Sequence, residues 1–141
     1  MSVEIRPFGR EYADGVVALA QAEGWPTFSD AERVTRLLTA PGVVGLVAVQ
    51  NDKVVGAAQL LTDGHQAYLA ILVVAAEARG QGIGKRLIEA GFQASKAVRM
   101  DLLSTPESEE FYRRFTHREI TGLRLFQGAP REAGDSEPGL R

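Results

Sequence analysis

The stretch Arg79-Gly80-Gln81-Gly82-Ile83-Gly84-Lys85 combines residue types that could hold an anion. Three glycines in five residues leave the backbone N–H groups uncovered by side chains. Ahead of the loop, Ala67 to Val74 has a strand's length and mostly large or β-branched apolar residues, and it reads as a strand buried on both faces. Behind it, Ile83, Leu87, Ala90, Gly91 and Ala94 recur at helical spacing. A helix start adds unpaired N–H donors and the positive end of the helix dipole. Arg79, Lys85 and Arg86 crowd the same spot, where cations oppose that dipole, so an anion bound there reconciles the arrangement. The spacing excludes a nucleoside-triphosphate loop, which needs Gly-x-x-x-x-Gly-Lys-Ser/Thr; Arg79 stands five before Gly84, and Arg86 follows Lys85. It also departs from the Gly-x-Gly-x-x-Gly dinucleotide fingerprint, because the glycines alternate at 80, 82 and 84.

The elements that must position this loop follow from periodicity and punctuation. Val3-Glu4-Ile5-Arg6 alternates as a short strand ended by Pro7. Tyr12, Val16, Leu19 and Ala20 share a helix face, Gly24 is placed to end that helix, and Pro26 prevents its continuation. Ser29-Asp30-Ala31-Glu32 reads as a capping box with Ser29 as N-cap, starting a helix that turns Val34, Leu37 and Leu38 inward. Val43–Gln50 and Lys53–Leu61 form a hairpin around Asn51-Asp52, with Gly56 marking a bulge or a close backbone approach. After the loop helix, Arg99–Leu103 is a fifth strand, parallel to the one before the loop. Thr105-Pro106-Glu107 starts a last helix with Thr105 as cap, and Ser108, Phe111, Tyr112 and Phe115 share its face. Arg118–Ile120 and Leu123–Phe126 read as closing strands. Residues 1–127 thus form one domain, and 128–141 a Gly/Pro/charged tail.

Bulk properties narrow the function. A chain of 141 residues with 45% hydrophobic residues can bury a core of its own. The formal net charge of −2, with no basic tract outside the loop, argues against nucleic acid as a partner. The absence of cysteine excludes disulfides and a cysteine nucleophile; with only two histidines, His65 and His117, no metal site is expected. No apolar run is long enough to span a bilayer, and the start of the chain has no signal-peptide core, so no membrane association and a cytoplasmic location are expected.

Arg79-x-x-Gly82-x-Gly84 resembles the Arg/Gln-x-x-Gly-x-Gly/Ala signature of the GNAT superfamily of acetyl-CoA-dependent N-acetyltransferases. Phe111-Tyr112-Arg113-Arg114-Phe115 is similar to that family's second signature, with Thr116 where the family has glycine and His117 where it has phenylalanine. The element order β-α-α-β-β-β-α-β-α-β-β over residues 1–126 also matches. The resemblance implies an α/β (α+β) GNAT fold. Its sheet would be mixed, mostly antiparallel and twisted, with six to seven strands, about four flanking helices, and a splay between the fourth and fifth strands.

The resemblance also implies roles. The backbone N–H groups of Gln81, Gly82, Ile83, Gly84 and Lys85, in the loop from Arg79 and Gly80, would hold the diphosphate of coenzyme A. Leu72, Val73 and Val74 would line the pantetheine arm, with the N–H of Val73 or Val74 polarising the thioester carbonyl. Thr105 and Ser108 would also lie against the coenzyme. Arg79 and Arg86 read either as phosphate contacts or as solvated surface. Tyr112 occupies the general-acid position, although a phenol of ordinary pKa about 10 needs local help to protonate a thiolate of about 8.5. Where many members carry a glutamate base this chain has Gln66; the adjacent His65 is the candidate base, with Glu23, Asp63 and a water chain as alternatives. Trp25 and Phe28 would wall the acceptor site. The reaction implied is acetyl transfer from acetyl-CoA to the primary amine of a small molecule by direct attack. The alternative is a non-catalytic acyl-CoA-binding regulatory module. Dimers are common in the family, so a homodimer is compatible with the resemblance.

Overall fold

The computed structural model describes residues 2–128. The expected tail beyond Gly128 lies outside the described residues. The chain divides into two compact units, 1–102 and 103–141.

The first unit is a five-stranded sheet in the order β1 (Glu4–Pro7), β2 (Val43–Gln50), β3 (Lys53–Thr62), β4 (Gln66–Val74), β5 (Arg99–Asp101). All neighbours are antiparallel except β4 and β5, which run parallel. Helices α1 (Ala13–Glu23) and α2 (Ala31–Thr39) cover one face and α3 (Ile83–Ser95) the other. Gly15 of α1 sits on Val54 and the buried Gln59 side chain donates to the Leu37 carbonyl of α2 at 3.0 Å, whereas Gly56 and Leu60 of β3 meet α3.

Turn chemistry fixes the register. Asn51 and Asp52 take positive φ of 54° and 60°, as a two-residue hairpin turn requires. Gly56 combines both roles expected of it. The β2–β3 register slips beside it, and a Cβ there would come within 3.2 Å of Ala48, Ile83 and Leu87. The gap lets α3 settle on the sheet, where Ile83 and Leu87 are fully buried, each contributing about 1.5–3 kcal/mol.

Several boundaries differ from the sequence reading. Asp30, one residue later than expected, caps α2 by accepting from Arg33 N at 2.8 Å; its shorter reach to the third N–H displaces the Ser29 box. The buried face of α3 is Ile83, Gly84, Leu87, Ile88, Gly91 and Ser95, while Ala94 is exposed. Strand β3, not β4, is the one buried along most of its length; β4 alternates buried and half-buried residues. The sheet has five strands among the described residues, not six to seven. Residues 118–126 form no ladder, and Ile120, Leu123 and Leu125 are 70%, 80% and 87% exposed. Their apolar spacing supplies one side of a strand pair, but a strand exists only where a second backbone completes its hydrogen bonds.

In the second unit, α4 spans only Glu109–Arg113. Residues 105–108 instead form a turn, in which Ser108 N and Glu109 N both donate to the Thr105 carbonyl. Thr105 therefore precedes the helix by a turn and does not cap it. Among the described residues, no helix is long and apolar enough to cross a membrane.

Candidate functional site

The glycine loop leaves β4 through a single 3-10 turn, Ala76–Ala78, and becomes α3 at Ile83. Gly80 and Gly82 take φ of +83° and +76°, a region that side chains with a Cβ adopt at a cost, and the space where a Cβ would stand is open at both. The backbone N–H groups of Gln81, Gly82, Ile83, Gly84 and Lys85 donate to no acceptor among the described residues; the first donor after them is Arg86 N, to Gly82 O at 3.1 Å. Five unpaired donors at the positive end of a thirteen-residue helix form a cradle suited to a phosphate or diphosphate.

The strand leading to the cradle has an open edge. Ala75 N donates to Val55 O at 2.8 Å, and the register pairs Gly56 with Val74, Ala57 with Val73 and Ala58 with Leu72. Antiparallel partners exchange bonds at every second pair, so Ile71 and Val73 turn their N–H groups toward β3 while Leu72 and Val74 turn theirs away. On that outer side β5 pairs only with Gln66, Ala67 and Tyr68. Beyond Tyr68 the parallel ladder ends, because β5 stops at Asp101. The sequence reading left Val73 or Val74 open as the oxyanion donor. The ladder phase commits the Val73 N–H to β3 and leaves Leu72 and Val74 facing the opening.

Two of the three basic residues around the loop, Arg79 and Arg86, are anchored. Arg79 donates from Nε to the Val74 carbonyl at 3.2 Å and from its terminal nitrogen to Glu23, whose other oxygen accepts from Ala76 N at 3.1 Å. Arg86 donates to the Val3 carbonyl at 2.8 Å. Gln81 accepts from Gln50 at 3.2 Å. Lys85 is exposed.

At the end of the parallel ladder, where Tyr68 and Asp101 are the last paired residues, lies a shallow depression of about 330 Å3 bordered by Leu61, Asp63, Gln66, Tyr68 and Asp101. Asp63 accepts from the backbone N–H groups of Gln66 and His65, and these bonds hold its carboxyl below the usual range. Nothing in the local sequence pattern marked Asp101, since only the parallel pairing brings it to this point.

Two expected site residues fall elsewhere. His65 precedes β4 at the end opposite the cradle; eight residues rising about 3.3 Å each separate it from Val73 by roughly 25 Å, too far to share a reacting atom with a thioester held there. Phe28 has no exposed surface and is a core plug, not a wall, because its 3-10 turn, Pro26–Phe28, points it inward. Trp25 is half-buried, its N–H held by Ala20 O at 2.8 Å behind the left-handed cap Gly24.

In the second unit the expected trio stands together. The Thr105 and Ser108 hydroxyls are 3.1 Å apart, and Tyr112 N donates to Ser108 O at 3.3 Å. Tyr112 packs edge-on against Phe111, with ring centroids 5.0 Å apart, and its hydroxyl has no hydrogen-bond partner among the described residues. Burial pushes its phenol up to about 12 by disfavouring the phenolate.

The description "acetyltransferase (GNAT) domain" belongs to the family whose sequence model matches residues 12–130. No curated protein sequence matches the chain. Among solved structures, an acetyltransferase of Trypanosoma brucei is 22% identical, with 89% of this chain and 100% of that one aligned at a TM-score of 0.69. A ribosomal-protein-alanine N-acetyltransferase from Brucella melitensis is 16% identical over 91% of this chain and 100% of its own, with a TM-score of 0.73. The aminoglycoside acetyltransferase AAC(6')-Iy, in complex with a CoA-linked bisubstrate analogue, is 17% identical over 92% and 100%, with a TM-score of 0.75. At such identities these likenesses establish the fold. The sequence model spans most of the chain and both units, and the chain therefore belongs to the GNAT acetyltransferase family.

Proposed function

We propose that this protein transfers the acetyl group of acetyl-CoA to the primary amine of a small molecule by direct attack in a ternary complex. The observation that carries this reading is the run of five unpaired N–H groups, Gln81 to Lys85, which follows a strand whose outward edge at Leu72 and Val74 is left by the β5 ladder. Acetyl-CoA supplies an acetyl group activated as a thioester. The cradle would hold its diphosphate, and the outward N–H of Leu72 or Val74 would take the developing oxyanion. Nitrogen attack forms the C–N bond, the C–S bond breaks, and Tyr112, protonated at any working pH, gives its proton to the departing sulfur, while the proton shed by the attacking nitrogen passes through water and restores the phenol. Desolvation that raises the phenol makes this donation harder against a thiol in water, so the step depends on the thiolate losing water as well.

A small acceptor is favoured by the shortness of the Gly24–Phe28 loop, which leaves little chain to grip a protein tail. That AAC(6')-Iy and other neighbours of this fold are aminoglycoside acetyltransferases adds to this reading, while the Brucella neighbour is named for a protein acceptor. The test is thiol release from acetyl-CoA across a panel of small polyamines, aminosugars and peptides with free amino termini, with product masses confirming acetylation. Turnover on a small amine supports the proposal. Turnover on peptides alone overturns the acceptor class. Coenzyme binding with no turnover on any amine favours the non-catalytic module, which the Thr116 and His117 departures keep in view.

A further inference from the structure

The segment between β4 and the cradle is held from one side by a single carboxylate. Glu23, the last residue of α1, has a side chain only 12% exposed, unusual for a glutamate unless both oxygens are used. Both are: one takes the Arg79 guanidinium and the other the Ala76 N–H, and Arg79 in turn donates to the outward carbonyl of Val74. Two points of the connection, Ala76 and Arg79, thus bond to one residue of a helix more than fifty positions earlier in the chain, and Arg79 ties in Val74. The other side of the loop is held by the body of α3 and by the Arg86 bond to Val3. Between these anchors the space where a Cβ would stand at Gly80 and Gly82 is open and Gln81 is held only by its exposed side-chain bond from Gln50, so much of the loop's shape is set from its two ends. A flexible stretch that must present five aligned donors gains affinity by being ordered before its ligand arrives.

We propose that Glu23 is a positioning residue, which through Arg79 and Ala76 pre-orders the glycine loop for the coenzyme. It does not touch the coenzyme and takes no part in acetyl transfer. The inference rests on the reading of that loop as a coenzyme A site.

The experiment is calorimetric titration of the full chain with coenzyme A, alongside steady-state kinetics, for wild type, Glu23→Gln, Arg79→Gln and the double variant. Circular dichroism checks the fold of each. In Glu23→Gln the side-chain carbonyl can still accept from Ala76 N, but the charge that holds Arg79 is lost. The expected result is a rise on the order of ten-fold in the dissociation constant and in KM for acetyl-CoA, with kcat within about two-fold. Arg79→Gln gives a similar rise, and the double variant is no worse than either single one, because both break the same tie. If Glu23→Gln does not fold, Arg79→Gln carries the test, and unchanged affinity there overturns the inference. Wild-type binding that Glu23→Gln leaves unchanged overturns it alone, as does a double variant with additive losses. A wild-type chain that does not bind coenzyme A overturns the functional reading and this inference together.

Discussion

At its start β4 lies between two strands, with Gln66, Ala67 and Tyr68 paired to β5 on one side and Ala67 and Tyr68 to β3 on the other. At its end Leu72 and Val74 face a side that no strand of the first unit occupies. At both ends β3 continues alongside. What differs is the partner: β5 is three residues long, so the parallel ladder stops at Tyr68 and Asp101. Backbone groups released from a ladder must find other partners, and here the unpaired donors of the cradle follow a few residues later in the chain. The closed end is a structural joint. The open end has the backbone chemistry to hold a ligand.

Substitutions at the two ends should therefore separate binding from stability. The largest effect is expected at the open end. Gly82→Val forces a β-branched side chain onto a φ of +76°, at about 1–3 kcal/mol of strain that only a reshaped loop can relieve. Calorimetry should find coenzyme affinity reduced on the order of 100-fold, and an unchanged affinity would erase the distinction between the ends. Next comes the second unit. Tyr112→Phe should lower kcat on the order of 100-fold, with KM for acetyl-CoA within about two-fold.

The same tyrosine sharpens the pH profile. Its phenol, raised to about 12, stays protonated through neutral and mildly alkaline pH, so the rate should show no alkaline fall from Tyr112 below about pH 11. A falling limb near pH 9 that disappears in Tyr112→Phe would contradict this. Gly91→Val probes the packed core between α3 and β3. Its Cβ would stand 2.8 Å from the buried Leu60 side chain, so thermal or urea unfolding should register a loss of about 1–3 kcal/mol, with coenzyme KM unchanged. The smallest effect belongs to His65→Ala, which should change kcat less than about two-fold, since the imidazole lies at the closed end. A large loss there would restore His65 as a base and place the chemistry at the wrong end of the strand.

Much of this architecture is written in local signals. The Asn51-Asp52 turn, the Gly24 cap, the two extended hairpin strands and the glycine loop each depend on residues near one another in the chain, so a reading of neighbours finds them. Phe28 and His65 show where such a reading fails. An aromatic residue in a short loop looks alike whether it faces solvent or core, and proximity in sequence to Gln66 says nothing of distance along a strand from the cradle. The phase of the β4 edge is another case, since choosing between Val73 and Val74 required one long-range bond, Ala75 to Val55. The Glu23 tie spans helix and loop with no intervening pattern. Residues 118–126 carry strand-like alternation, but whether such a segment pairs depends on a partner that lies outside its own sequence.

The alternation along β4 leaves a signature that can be timed. Amide protons of Ile71 and Val73, locked into the ladder with β3, should exchange with deuterated solvent at the slow pace of the sheet, while those of Leu72 and Val74, their immediate neighbours, exchange as readily as a loop. One strand would then keep two clocks, and an added coenzyme should slow only the faster.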